Sequence, residues 1–244
     1  MIVRACEEEK AMKARLAAGI ASACAVVFVS IIALGCGGSS PPKMSIAGSV
    51  SLNEGGSFSY FRAFIMKGFD FVDDATVTIT VNTGTPQNVP SAGFMGLYST
   101  LATTTVNPGD DLTLTVTRGG KTATSTVKMP SRPSVLTPTD SSTVAANTSQ
   151  TITWGALGTP VPNAVRAQID SAHTASPNGW DSMVSLPPAT EIIIPANTLN
   201  KGESSVDLVF MSCIVSTDFG GKAAGVSTFE ADNYAPVVTF STLP

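Results

Sequence analysis

His173 is the only histidine in the 244 residues, so a metal site built from several imidazoles is ruled out and histidine acid–base chemistry has one position to work from. Asp170, Ser171 and Ser176 stand beside it, which puts a carboxylate, a base and two hydroxyls in one short stretch. Residues 172–179 are nevertheless rich in Ser, Pro, Asn and Gly, the composition of a loop, and no serine carries a local hydrolase signature. The reading is a solvated loop histidine in a chain that is not an enzyme. Cys213 sits in the apolar run Val209 to Val215 and reads as a buried, inert thiol. Asp70, Asp73 and Asp74 form one acidic group and Asp110 and Asp111 another. Neither has the loop spacing of a calcium motif, so turn chemistry is the reading and no metal is expected. No Gly-rich loop leads into a helix, which leaves a nucleotide cradle without support.

The aromatic residues are the more distinctive feature. Phe58, Tyr60, Phe61, Phe64, Phe69 and Phe71 fall close together, six of the 11 Phe, 3 Tyr and 2 Trp of the chain. On a strand Phe58, Tyr60 and Phe64 share one face and Phe61 points to the other. Either the group packs a core, or part of it forms an exposed strip that stacks on a sugar or receives a protein partner. The candidate binding residues are therefore Phe58, Tyr60, Phe61, Phe69 and Phe71. Trp180, in Pro177-Asn178-Gly179-Trp180-Asp181, joins them as a loop tryptophan that either plugs the end of a fold or is offered to a ligand.

The elements that must position these residues are strands. Thr76 to Val81 and Leu112 to Thr117 alternate strictly between branched apolar residues and threonine, the pattern of half-buried strands. Arg118-Gly119-Gly120-Lys121 predicts a hairpin into a strand at 122–129, with Ala123, Ser125, Val127 and Met129 on one face. Further strands are predicted at 44–52, 57–64, 134–136, 150–154, 164–169, 191–194, 206–215, 225–231 and 237–242. No sustained helical period and no repeat of fixed length follow Lys43. Pro130-Ser131-Arg132-Pro133 interrupts the pattern with two ring-locked residues. The expected organisation is all-β, with one antiparallel β-sandwich at 44–130, a linker at 131–133 and a second sandwich at 134–244. Charged residues are 13% of the chain. Beyond Gly35 there are 10 Lys and Arg against 15 Asp and Glu, both signs scattered, a surface with no footprint for nucleic acid.

Leu16 to Gly35 carries no charge and follows Lys13 and Arg15, the basic flank and apolar centre of a secretory signal. Glu7-Glu8-Glu9 is out of place there, and Met12 is the expected true start. The run ends in Ala33-Leu34-Gly35-Cys36, which resembles the lipobox of bacterial lipoproteins. That resemblance implies removal of residues 1–35, a covalent lipid on Cys36 as the only attached group, and anchoring in a membrane. Gly37 after the cysteine implies onward sorting to an outer membrane. Residues 37–42 read as a flexible tether. An uncleaved membrane-spanning segment is the alternative, since twenty uncharged residues are long enough to cross a bilayer. Pro133-Ser134-Val135-Leu136, Thr151-Ile152-Thr153-Trp154 and Ile194-Pro195 through Val206-Asp207-Leu208 resemble fibronectin type III or bacterial Ig-like modules. The first domain resembles the short Ig-like or carboxypeptidase-regulatory-like modules of exported proteins. These resemblances imply a fold and not a function, since sandwiches host many; the expectation is a non-enzymatic structural or protein-interaction module, with a glycan-binding or adhesion module using the exposed aromatics as the alternative.

Overall fold

In the computed structural model the described residues are 44–52, 59–187, 189–221 and 227–244. The expected export segment, Cys36, the tether and Phe58 lie outside them. Strands dominate, and among the described residues no helix is long and apolar enough to cross a membrane. In the first stretch they are β1 (Met44–Leu52), β2 (Ser59–Lys67), β3 (Asp70–Phe71), β4 (Thr76–Val81), β5 (Gln87–Asn88), β6 (Leu97–Leu101), β7 (Asp111–Arg118) and β8 (Lys121–Lys128). In the second they are β9 (Val135–Thr137), β10 (Thr143–Val144), β11 (Gln150–Trp154), β12 (Ala164–Ile169), β13 (Trp180–Ser185), β14 (Glu191–Ile194), β15 (Val206–Ser216), β16 (Gly220–Gly221), β17 (Thr228–Tyr234) and β18 (Val238–Thr242).

Alternation along these strands separates two cores. Ile46, Val50, Phe61 and Ile65 on β1 and β2 face Val77, Ile79, Leu112, Leu114, Val116, Ala123 and Val127 on β4, β7 and β8. The threonines between them stay at the surface, where Thr113 and Thr126, and Thr117 and Thr122, pair across β7 and β8 at 2.9 and 3.0 Å. Gly119 and Gly120 turn the β7–β8 hairpin with φ of 55° and 71°, backbone angles that a two-residue turn of this hand requires at both positions. The second core lies between Ile152, Ile192 and Ile194 of the β14-β11-β9 sheet and Val165, Ala167, Ile169, Leu208, Phe210 and Phe240 of the larger one. Trp154 stacks on Phe210 with ring centroids 5.6 Å apart.

One sheet runs through both sandwiches in the order β10-β18-β15-β17-β1-β2-β3. Pairing is mostly antiparallel, but β17 lies parallel to β1, from Ala47 opposite Thr228 to Leu52 opposite Asn233, while its other edge pairs antiparallel with β15. Phe229 and Ala231, from the C-terminal stretch, are consequently buried in the first core. The expected boundary at 131–133 thus sits beside a shared sheet. The interrupting segment is held by that sheet as well. Pro130 O accepts from Asn233 Nδ2 at 2.9 Å, Ser131 O from Ser212 Oγ at 2.6 Å, and Arg132 Nε donates to Tyr234 O at 2.9 Å.

Six strands stand outside the expected ones: the two-residue β3, β5, β10 and β16, and the longer β6 and β13. β6 and β13 were not predicted, because Leu97-Tyr98-Ser99-Thr100-Leu101 and Trp180-Asp181-Ser182-Met183-Val184-Ser185 carry no strict apolar alternation; each forms by pairing onto the strand beside it, β2 and β12 respectively. Trp180 therefore opens a strand and does not stand in a polar loop. It lies opposite Ile169 and is packed, partly buried, against the second core.

Candidate functional site

The shared sheet turns one face to the cores and the other away from them. On β15, Val206, Leu208, Phe210 and Ile214 face the cores, which sends Val209, Met211, Cys213 and Val215 to the opposite side with Ala164 and Tyr234. On β17, Phe229 and Ala231 face inward, which sends Glu230, Asp232 and Tyr234 outward. Register does the rest. Cys213 lies directly opposite Asp232, and Val215 opposite Glu230. One ligating atom each from Cys213, Glu230 and Asp232 falls within 4.8 Å of the others. Cys213 is fully buried and Asp232 is 6% exposed. The two carboxylates are close enough to hydrogen-bond to each other, and among the described residues Glu230 Oε1 and Asp232 Oδ1 have no donor partner.

The electrostatics follow from burial. Asp232 is pushed well above the carboxylate range, first by burial and then by the charge of Glu230, against the opposing pull of the Cys213 hydrogen bond and Arg166. Burial, reinforced by Asp232 and Glu230, also pushes the Cys213 thiol up. Arg166, on the neighbouring β12, is in turn disfavoured by burial, but the hydrogen bonds and charge of Asp181, helped by Glu230 and Asp232, outweigh this and raise it. Its guanidinium grips Asp181 through Nε at 2.9 Å and Nη2 at 2.5 Å. Tyr234 is raised by burial and by Asp232, with a Ser51 hydrogen bond working the other way. The sequence read Cys213 as a buried, inert thiol, and it is buried, but the two acids that face it were not anticipated. The signal was the alternation Phe229-Glu230-Ala231-Asp232, two acids on the face opposite two core residues.

The aromatic group divides. Phe61, a candidate for stacking, is 1% exposed in the first core and cannot meet a ligand. Even-numbered residues of β2 fall on the other face. There Tyr60 lies under the Arg62 guanidinium, 5.4 Å from the ring centroid. Phe64 is buried and meets Phe71 edge-on at 5.7 Å. Phe69, in the turn between β2 and β3, is 81% exposed, and Phe71 is also exposed. The 91–96 loop comes alongside this turn, through Ile65 N donating to Gly96 O at 2.9 Å and Gly96 N to Asp73 Oδ1 at 2.9 Å. It carries Phe94 and Met95, both exposed and both missed in the sequence, where a Phe-Met pair bracketed by glycines was the available sign. One end of the first sandwich thus presents Phe69, Phe71, Phe94 and Met95.

The remaining candidates are satisfied locally. His173 Nδ1 is 3.4 Å from Glu203 Oε2, Asp170 Oδ1 accepts from Ala172 N at 2.8 Å, and Ser176 Oγ accepts from Asn178 N. Among the described residues neither Ser171 nor Ser176 is hydrogen-bonded to the imidazole. Asp74 pairs with Arg118 at 2.7 Å, Asp111 with Lys128 at 2.6 Å, and Asp110 accepts from Asn107 N at 2.7 Å. These are turn and hairpin contacts.

No family model matches the chain, and no curated protein matches it. Among solved structures it is similar to the FN1–FN3 domains of chicken CNTN1, at 11% identity over 84% of this chain and 69% of that one, with a TM-score of 0.31. It is also similar to the N-terminal Ig1-2 module of the Drosophila receptor protein tyrosine phosphatase DLAR, at 12% identity over 80% and 98% with a TM-score of 0.29. The fibronectin(III)-like modules of Clostridium thermocellum CbhA are similar at 15% identity over 82% and 94%, with a TM-score of 0.24.

Proposed function

We propose that this is a lipid-anchored cell-envelope protein whose β-sandwich body is a non-enzymatic interaction module, presenting Phe69, Phe71, Phe94 and Met95 to a protein partner. The observation that carries the interaction reading is the concentration of these exposed side chains on two adjoining loops. Contiguous exposed apolar groups of this kind are what a partner covers. Phenylalanine and methionine bring no hydrogen-bonding tip, so the patch suits an apolar protein surface better than the hydroxyls of a sugar. The anchoring reading is supported by Ala33-Leu34-Gly35-Cys36 after an uncharged run.

A photo-crosslinking residue at Phe94, in intact cells, tests the patch. One dominant protein adduct, lost when Phe69 is also changed to Ser, is the expected result. A carbohydrate adduct moves the reading to glycan binding, and the absence of any adduct overturns both. Metabolic labelling with an alkyne fatty acid tests the anchor: the wild type is expected to take the label on a chain that begins at Cys36 and Cys36→Ser to take none, and an unlabelled wild type that keeps residues 16–35 speaks for an uncleaved spanning segment.

A further inference from the structure

We propose that Cys213, Glu230 and Asp232 form a binding site for a borderline-soft divalent cation of the zinc class on the outward face of the shared sheet. Three observations carry it. The ligand atoms lie within 4.8 Å of one another. A tetrahedral zinc with bonds of about 2.3 Å to sulfur and about 2.1 Å to oxygen spaces its ligands roughly 3.5 Å apart, so small side-chain rotations bring the three into its sphere. Asp232 is 6% exposed, and among the described residues neither its Oδ1 nor Oε1 of Glu230 beside it has a donor partner. Buried carboxylate oxygens almost always have a partner, and a cation supplies one to both acids at once.

The donor set selects the metal. A thiolate is a poor ligand for calcium or magnesium, which take six or more hard oxygens, whereas one sulfur with two carboxylates suits zinc and its neighbours. Three anionic ligands on a divalent ion leave one negative charge, and Arg166 on β12 lies near enough to feel both carboxylates. Arg62 on β2, and Tyr234 with its hydrogen bond from Ser51, complete the charged and titratable surroundings. With three protein ligands the fourth tetrahedral position is left for a water or for a donor from a partner.

The test is titration of the full-length, detergent-purified protein, stripped with chelator, using cobalt(II) as the probe. The expected result is a thiolate-to-cobalt charge-transfer band in the near ultraviolet, saturating at a single equivalent, displaced by zinc and absent in Cys213→Ser. Glu230→Gln and Asp232→Asn retain shape and thiol, and each is expected to weaken cobalt binding by at least about 10-fold, the loss seen even when a supporting group is removed. Failure of the wild type to give the band overturns the proposal. So does a band that persists in Cys213→Ser, which places the metal elsewhere, or one that the two carboxylate variants leave unchanged, which marks a lone thiol.

Discussion

Tyr98 illustrates how much a single polar atom holds in an otherwise apolar core. Its ring is buried in the first sandwich, and its hydroxyl accepts from Ala75 N at 2.9 Å and donates to Val72 O at 3.0 Å, tying the segment between β3 and β4 to β6. Tyr98→Phe leaves both backbone groups unpaired and is expected to lower unfolding free energy by about 1–3 kcal/mol in urea titrations. Asp232 works in the opposite direction. Its carboxyl holds a proton in the fold well above the ordinary 3.8, so in the metal-free protein the unfolded chain releases that proton first. Stability is then full below about pH 3.8 and falls as pH rises towards the folded value. Asp232→Asn removes this fall. The expected outcome is a variant that melts higher than wild type at neutral pH and converges with it near pH 4, the unfolded carboxyl value; an unchanged difference across that range refutes the assignment. Neither role was legible in the sequence, where no local pattern sets Tyr98 or Asp232 apart.

Among the elements, the 91–96 loop depends on a glycine for more than conformational freedom. Gly96 has φ of 66°, and a Cβ there would collide with the carbonyl oxygen of Ile65, the residue whose N–H donates to Gly96 O and so docks the loop. Gly93, with φ of 79°, faces open space. Gly93→Ala is therefore expected to cost only the left-handed strain, about 1 kcal/mol, and Gly96→Ala about 3 kcal/mol or more, because the collision also pushes the loop off β2. Thermal denaturation of the pair measures the difference, and equal losses would show that the docking contributes nothing. Glycine at the tip was readable as a turn; which glycine touches backbone was not. The strands divide in the same way. Thr76 to Val81 announced itself by alternation, whereas β6 and β13 exist because β2 and β12 leave an edge for them.

At the scale of the molecule, β15 and β17 make the two sandwiches depend on each other. β15 has 11 residues, about 36 Å at roughly 3.3 Å per residue, and serves the second core through Leu208 and Phe210 and the first through Ile214. Phe229→Ala is expected to cost about 3–5 kcal/mol and to shift the melting of both sandwiches together in a single calorimetric transition. Two transitions, with only the first displaced, would mean that the sandwiches unfold independently. The sequence by itself determined the all-β class, most of the strands and the facing of their side chains, because alternation is a local property that each strand writes into its own residues. It also located the uncharged run and Cys36. Only the tertiary structure decided that β17 crosses to β1, that Phe61 is core while Phe69 and Phe94 are exposed, and that Cys213 meets Glu230 and Asp232. Those outcomes depend on register between strands far apart in the chain, and a register shift of one residue exchanges the faces without changing any strand's own pattern.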